Sequence, residues 1–110
     1  MPTSYKVLGQ VAPGANTDTT LYTTPANTQT VISTIIVTNR TSTSASYRIA
    51  VRPAGATLAT LHYVAFDVAV GASDSTALTM GITLGATDVI TVQASSANVT
   101  FSAFGSEITP

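Results

Sequence analysis

The chain of 110 residues has no cysteine, no tryptophan and one histidine, and only 8% of its residues are charged. An ordinary soluble domain has about 25% charged residues. The lack of cysteine excludes a disulfide framework, a thiolate nucleophile and a thiolate metal site. A single histidine excludes a zinc site built from several imidazoles. Because few groups are left for acid–base or nucleophilic chemistry, we expect a protein that is not an enzyme, with no catalytic residue, cofactor or metal.

Charge is too scarce for two classes of partner. The chain has four Lys and Arg residues against five Asp and Glu residues, which gives a formal net charge of −1. Binding to nucleic acid needs a basic surface, and so does binding to an anionic membrane surface. No apolar run approaches the about 20 residues of a membrane-spanning helix, and the first residues lack the pattern of a signal peptide. We therefore expect neither nucleic acid nor a membrane as a partner.

The hydrophobic residues, which make up 45% of the chain, are enough to form one core. The length is that of a single domain, residues 1–110. Apolar and polar residues alternate with a period of two, and the β-branched residues Thr, Val and Ile are abundant. Clusters of Gly, Pro, Asn and Asp divide the alternating segments. This pattern predicts eight strands, at 5–10, 19–24, 29–39, 46–52, 61–70, 75–80 (extending to 84 through a bulge), 89–94 and from Val99 onward.

Eight short strands without a helix predict an all-β fold. A jelly roll has eight strands in two sheets, so we expect an eight-stranded antiparallel β-sandwich that is jelly-roll-like. An immunoglobulin-like sandwich is the alternative, because the number of strands does not separate the two.

Catalytic and metal-binding candidates are few. His62 could act as a general base, but Asp67, five positions later, would point to the opposite face of an unbroken strand. In such a strand one face holds His62, Val64, Phe66, Val68 and Val70, and the other holds Tyr63, Ala65, Asp67 and Ala69. Glu107 and Asp67 could form a carboxylate pair only if the fold brought them together. The turns Gly71–Asp74 and Gly85–Asp88 resemble each other, yet calcium needs six to eight oxygen ligands. We favour a structural or interface role for His62 and simple turn chemistry for both aspartates.

The third strand is apolar on both faces in an unbroken alternation. Val31, Ile35 and Val37 would lie on one side, with Ile32 and Ile36 on the other. A strand of this kind must be covered on both faces. Either it bends between the two layers, or its second face meets another chain.

Arg48 and Arg52 are four positions apart on one strand, which places both on the same face about 13 Å apart. With Ala50 between them they would form an open basic row. Such a row is either solvated or in contact with another subunit, since Arg is enriched at protein interfaces. Together with the third strand and an N-terminal tyrosine, this gives the candidate interface residues Tyr5, Ile32, Ile36, Arg48 and Arg52.

The stretch Leu21–Arg40, LYTTPANTQTVISTIIVTNR, resembles small β-modules in virion proteins of tailed bacteriophages. Those modules often have an LYTxPA turn, a long apolar strand and a polar loop that begins with Asn. The following stretch Ser46–Gly55, SYRIAVRPAG, and the ending Val99–Ile108, VTFSAFGSEI, are similar to them as well. The resemblance carries no catalytic residue.

The resemblance implies a β-sandwich or jelly roll that forms homo-oligomers, often trimers, on the surface of a virion after synthesis in the host cytoplasm. A single short domain has no long shaft, which favours a capsid decoration or cement protein over a complete tail fibre. Such a protein would bind the major capsid protein and brace neighbouring capsomers. The alternative is a tail fibre or baseplate module that binds host-surface glycans, for which exposed tyrosines among Tyr5, Tyr22, Tyr47 and Tyr63 would be the stacking residues.

Overall fold

The computed structural model describes residues 3–79 and 81–109, and in this part of the chain the only helical turns are two short 3₁₀ turns, Pro53–Gly55 and Thr60–His62. The rest is built on strands that form two antiparallel sheets packed together, which confirms the all-β sandwich. The strands are β1 (Thr3–Val11), β2 (Thr19–Thr23), β3 (Gln29–Asn39), β4 (Ala45–Arg52), β5 (Tyr63–Val70), β6 (Ser75–Leu78), β7 (Ile82–Leu84), β8 (Val89–Ala94) and β9 (Val99–Ile108).

Sheet A has the order β1-β9-β3-β6, and β7 also pairs with β3, whereas sheet B has the order β2-β8-β4-β5. The strand predicted at 75–80 is shorter, and its proposed extension is a separate strand, β7. Both segments lie along β3, with β6 beside Ile35–Thr38 and β7 beside Thr30–Ile32. Alternation over 75–80 predicts that Leu78 and Met80 share a face, but Met80 lies outside the described part of the chain.

The core lies between the two sheets and has an aromatic pair at its centre. Tyr47 of sheet B and Phe101 of sheet A pack edge to face, with ring centres 6.2 Å apart. Burying large apolar side chains of this kind stabilises a fold by about 1.5–3 kcal/mol each. The same cluster contains apolar residues from both sheets, including Leu21, Ile32, Ile35, Val37, Ile49, Val70, Leu84, Ile90, Val92 and Val99.

A bulge in β3 changes which of its side chains point inward. The pairing with β9 shifts register between Ile32 and Thr34, so that Ser33 is the extra residue. One extra residue reverses the alternation beyond it. Ile32 and Ile35 are therefore both fully buried, and Ile36 lies on the outer face. The prediction that Ile32 and Ile36 share a second face is wrong, and Ile32 belongs to the core rather than to an interface.

Strand β5 departs from its predicted alternation for the same reason. Its register against β4 shifts twice, once on each side of the pair between Ile49 and Ala65. Asp67 has a φ of 52°, a left-handed conformation that Asp tolerates better than most residues. The expected separation of Tyr63 and Asp67 from Phe66 onto opposite faces is therefore wrong, because all three gather around Arg48.

Candidate functional site

Large apolar side chains are exposed mainly along one edge of sheet B. Of the six such residues in the described part of the chain, two lie on β1, Tyr5 and Val7, and four lie on β5 or just before it. Strand β5 is the edge strand of its sheet. We call the four the β5 surface: Leu61 (81% exposed), Val64 (48%), Phe66 (54%) and Val68 (39%).

An arginine–aromatic cluster borders the β5 surface. The Arg48 guanidinium donates to both carboxylate oxygens of Asp67, with Nε to Oδ1 at 2.6 Å and Nη2 to Oδ2 at 3.2 Å. Its Cζ atom lies 4.1 Å from the ring centre of Phe66 and 5.9 Å from that of Tyr63. The two rings pack edge to face, 4.9 Å apart. Arg48 thus fixes two aromatic rings and one carboxylate in a single arrangement.

The electrostatics of the cluster are those of a closed ion pair. The hydrogen bond from Arg48 holds the pKa of the Asp67 carboxyl below its ordinary value, and the same bond raises the pKa of Arg48. Both groups therefore stay ionised at neutral pH, and neither is suited to moving a proton. The site is therefore an ion pair stacked on two aromatic rings, next to exposed aliphatic side chains. Arg and Tyr are among the residue types enriched in protein–protein binding hot spots.

Arg52 does not join Arg48 in an open row, so that expectation is wrong. Its guanidinium donates to the carbonyl oxygens of Ala56 (2.7 Å) and Gly55 (3.1 Å) and to the hydroxyl of Thr91 (3.2 Å). These bonds hold the connection between β4 and β5, residues 53–62, near sheet B. Ala50 and Thr91 point outward from that sheet but are only 1% and 5% exposed, so this part of the outer face is shielded from solvent.

The candidate interface residues do not form one patch. Tyr5 is 85% exposed on β1, and Ile36 is partly exposed on the same outer face of sheet A. Arg48 and Arg52 belong to sheet B, and Ile32 is in the core. The sequence pattern does not predict the β5 surface, because an unbroken alternation places Val64, Phe66 and Val68 on the same face as the buried Val70. Asp67 inside an apolar strand was the available signal of a bulge.

The catalytic candidates are occupied by structural contacts. His62 is buried, and its Nδ1 accepts a hydrogen bond from the backbone N–H of Ala59 (3.0 Å). Asp67 and Glu107 lie on strands of different sheets, so they form no carboxylate pair.

Glu107 instead takes part in a polar cluster between the sheets. Its side chain is 13% exposed, forms an ion pair with Lys6 and accepts a hydrogen bond from the Tyr22 hydroxyl. That hydroxyl lies 2.8 Å from the Thr30 hydroxyl. Burial and the bond to Glu107 raise the pKa of Tyr22 to about 12, and the contacts with Lys6 and Tyr22 lower the pKa of Glu107.

The two similar turns are explained by backbone hydrogen bonding. Asp88 accepts hydrogen bonds from the N–H groups of Gly85 (2.9 Å) and Ala54 (2.8 Å), and Asp74 accepts one from Ser75 (2.8 Å). Among the residues that the structure describes, no three His, Cys, Asp or Glu side chains are close enough to hold a metal ion. A pocket of about 340 Å³ at one end of the sandwich is lined only by uncharged residues: Asn27, Thr28, Gln29, Gly85, Ala86, Ile108 and Thr109.

No protein-family model matches the chain, and no match was found among curated proteins or solved structures. Within the described residues, none of the helical segments has the length and apolar character needed to cross a membrane.

Proposed function

We propose that the protein is a non-enzymatic structural protein of a tailed-bacteriophage virion, a decoration protein that binds the capsid surface. The β5 surface carries this proposal, because its four exposed apolar side chains lie on or just before one edge strand, beside an ordered arginine–aromatic cluster. It would contact the major capsid protein and brace neighbouring capsomers. The likeness of residues 21–40, 46–55 and 99–108 to phage virion modules supports the location on a virion.

The energetics suit a protein that acts in many copies. Full burial of one Leu, Val or Phe side chain contributes about 1.5–3 kcal/mol, and binding must offset the loss of free motion of both partners. One small surface therefore binds weakly by itself. Copies that also contact each other on a symmetric lattice gain affinity by avidity.

The strand order supports the jelly-roll part of the proposal. The pairs β1–β9, β2–β8, β3–β6/β7 and β4–β5 join strands from the two ends of the chain toward its middle. Winding one long hairpin into two sheets gives this nesting, which is the layout of a jelly roll. In an immunoglobulin-like sandwich the first and last strands belong to different sheets, whereas here both are in sheet A.

Copy number and position on the virion test the proposal. Antibodies against the recombinant protein should label purified particles over the whole head, and quantitative mass spectrometry should find it in hundreds of copies per particle. Labelling confined to the tail tip, together with binding of the recombinant protein to a glycan array, would overturn the decoration role in favour of a glycan-binding tail module.

The β5 surface is tested with particles stripped of the protein. Leu61→Asp and Val64→Asp each place a charge on an exposed apolar position, and each should weaken rebinding at least about tenfold, which corresponds to 1.4 kcal/mol. Thr20→Asp is the matched control, since Thr20 is exposed on the opposite edge strand of the same sheet. Equal binding by all three variants would exclude the β5 surface as the contact.

A further inference from the structure

The outer face of sheet A has no charged side chain among the residues that the structure describes. Directly opposed residues of antiparallel strands share a face, so the registers fix which side chains point outward. These are Ser, Thr, Gln, Ala or apolar residues at every outward position of β1, β9, β3, β6 and β7. Apolar members near the middle are Val7 on β1, Phe104 on β9, and Val31 and Ile36 on β3.

All nine charged residues of the chain have other positions. Lys6 and Glu107 belong to strands of sheet A, but they pair on its inner side. Arg48, Arg52 and Asp67 lie on the outer side of sheet B. The remaining four are in turns and loops: Asp18, Arg40, Asp74 and Asp88.

We propose that this face is a self-association surface, on which a second copy of the chain stacks sheet A against sheet A about a two-fold axis. In a two-fold interface the same patch meets itself, so a residue near the axis faces its own copy. Any charge there would be repelled by an identical charge. A face without charge avoids that repulsion wherever the axis falls, and charged residues are depleted at the centre of such interfaces.

The size of the face is sufficient for a pair of moderate affinity. Four strands about 4.8 Å apart and about ten residues long at 3.3 Å each cover roughly 600 Å². Two copies would bury about 1,200 Å² in total, the lower end of the range for specific interfaces. The row Val7, Phe104 and Thr34, which are opposed across β1, β9 and β3, lies across this face. Face-to-face stacking gives a pair rather than the trimer that the sequence resemblance implies.

The inference does not rest on the virion role, and the solution mass of the full chain tests it. Sedimentation equilibrium from micromolar to millimolar concentration should give twice the 11.2 kDa of one chain. Thr34→Lys and Thr34→Asp should each give a monomer, and mixing equal amounts of the two should restore a pair. Phe104→Ala should weaken the pair at least about tenfold by removing apolar contact area. Thr20→Lys, on the outer face of sheet B, should leave the mass unchanged.

Circular dichroism and thermal unfolding show whether each variant folds. If the Thr34 variants do not fold, the Phe104→Ala variant alone tests the contact. A wild-type mass of one chain at every concentration would overturn the inference, as would a mass of three chains. Dissociation by Thr20→Lys but not by Thr34→Lys or Phe104→Ala would assign the contact to sheet B and overturn it as well.

Discussion

The two outer faces of the sandwich differ in charge and in whether a connecting segment is bonded to them. The described residues on the outer face of sheet A are all uncharged, and its apolar side chains lie among Ser and Thr. The face of sheet B holds Arg48, Arg52 and Asp67, and the 53–62 connection is bonded to it by Arg52. The scarcity of charge is therefore not spread evenly over the molecule. Charged side chains hold one strand edge and one connection on sheet B, and none of the described residues places a charge on the outer face of sheet A.

Gly105→Ala should have the largest effect, because it breaks the sheet that carries the uncharged face. A Cβ atom at Gly105 would overlap the carbonyl oxygen of Val31, beside the β3 bulge. Since this neighbour is backbone and not a movable side chain, we expect a loss of about 3 kcal/mol or more in the free energy of unfolding. Urea denaturation measures the loss. Gly71→Ala is the control, since a Cβ there meets only ordinary contacts, and an equal loss from both variants would contradict the explanation.

Arg52→Ala should have the next largest effect, and it acts on sheet B. The variant loses hydrogen bonds to Ala56, Gly55 and Thr91. Hydrogen bonds to charged groups contribute about 1.5–3 kcal/mol, so we expect a loss of about 2 kcal/mol and faster proteolysis within residues 53–62.

Arg40→Ala is the matched control for that variant, because exposed Arg40 has a single side-chain hydrogen bond of 3.5 Å to Ala97 among the described residues. Its loss should stay within about 0.5 kcal/mol. Similar proteolysis of both variants would show that Arg52 does not hold the connection.

Ionisation of the Tyr22 hydroxyl should lower the free energy of unfolding at alkaline pH. Its pKa in the folded protein is about 12, above the ordinary 10.0, so its contribution is complete below pH 10 and is lost as the pH rises to 12. After allowance for solvent screening we expect a loss of about 1–2 kcal/mol over that interval. Tyr22→Phe should reduce the fall without abolishing it, because burial also raises the pKa of Tyr47. An unchanged fall in the variant would contradict the assignment.

Much of the fold was predictable from local sequence, because strand positions depend on alternation and turn residues. The strands at 29–39 and 89–94 have the predicted bounds, and the two-sheet sandwich follows from their number and spacing. The inward and outward faces were predictable only as far as the first bulge. Ser33 in β3 and Asp67 in β5 reverse the alternation, and a one-residue shift moves every later side chain to the other face.

The candidate site was harder to predict because it depends on contacts between strands. Nothing near Arg48 in the sequence indicates Phe66, Tyr63 or Asp67, which lie on the next strand and meet Arg48 only through the bulges of β5. The burial of Ala50 likewise depends on its neighbours in the sheet. Composition did identify scarce charge as the main feature, but its separation between two faces requires the registers of both sheets.

The smallest expected effect concerns one turn that recurs in both sheets. Gly71–Asp74 leads into β6 of sheet A, and Gly85–Asp88 leads into β8 of sheet B. In each turn the backbone N–H of the aspartate donates to the carbonyl oxygen of the glycine, at 3.3 Å in the first turn and 3.2 Å in the second. The third residue is left-handed in both, Ser73 with a φ of 51° and Thr87 with a φ of 68°. Asn suits this conformation better than Ser or Thr, and it already occupies left-handed positions at Asn16 and Asn27.

Thr87→Asn should therefore raise the free energy of unfolding by about 0.5–1 kcal/mol, because a β-branched residue is strained at positive φ. Ser73→Asn should change it in the same direction by less, since Ser is not β-branched. Thermal unfolding of the two variants and of the double variant measures both effects, which should add because the turns serve different sheets. A destabilised Thr87→Asn would mean that the hydrogen bond from its hydroxyl to the Ala86 carbonyl (2.6 Å) outweighs the backbone strain.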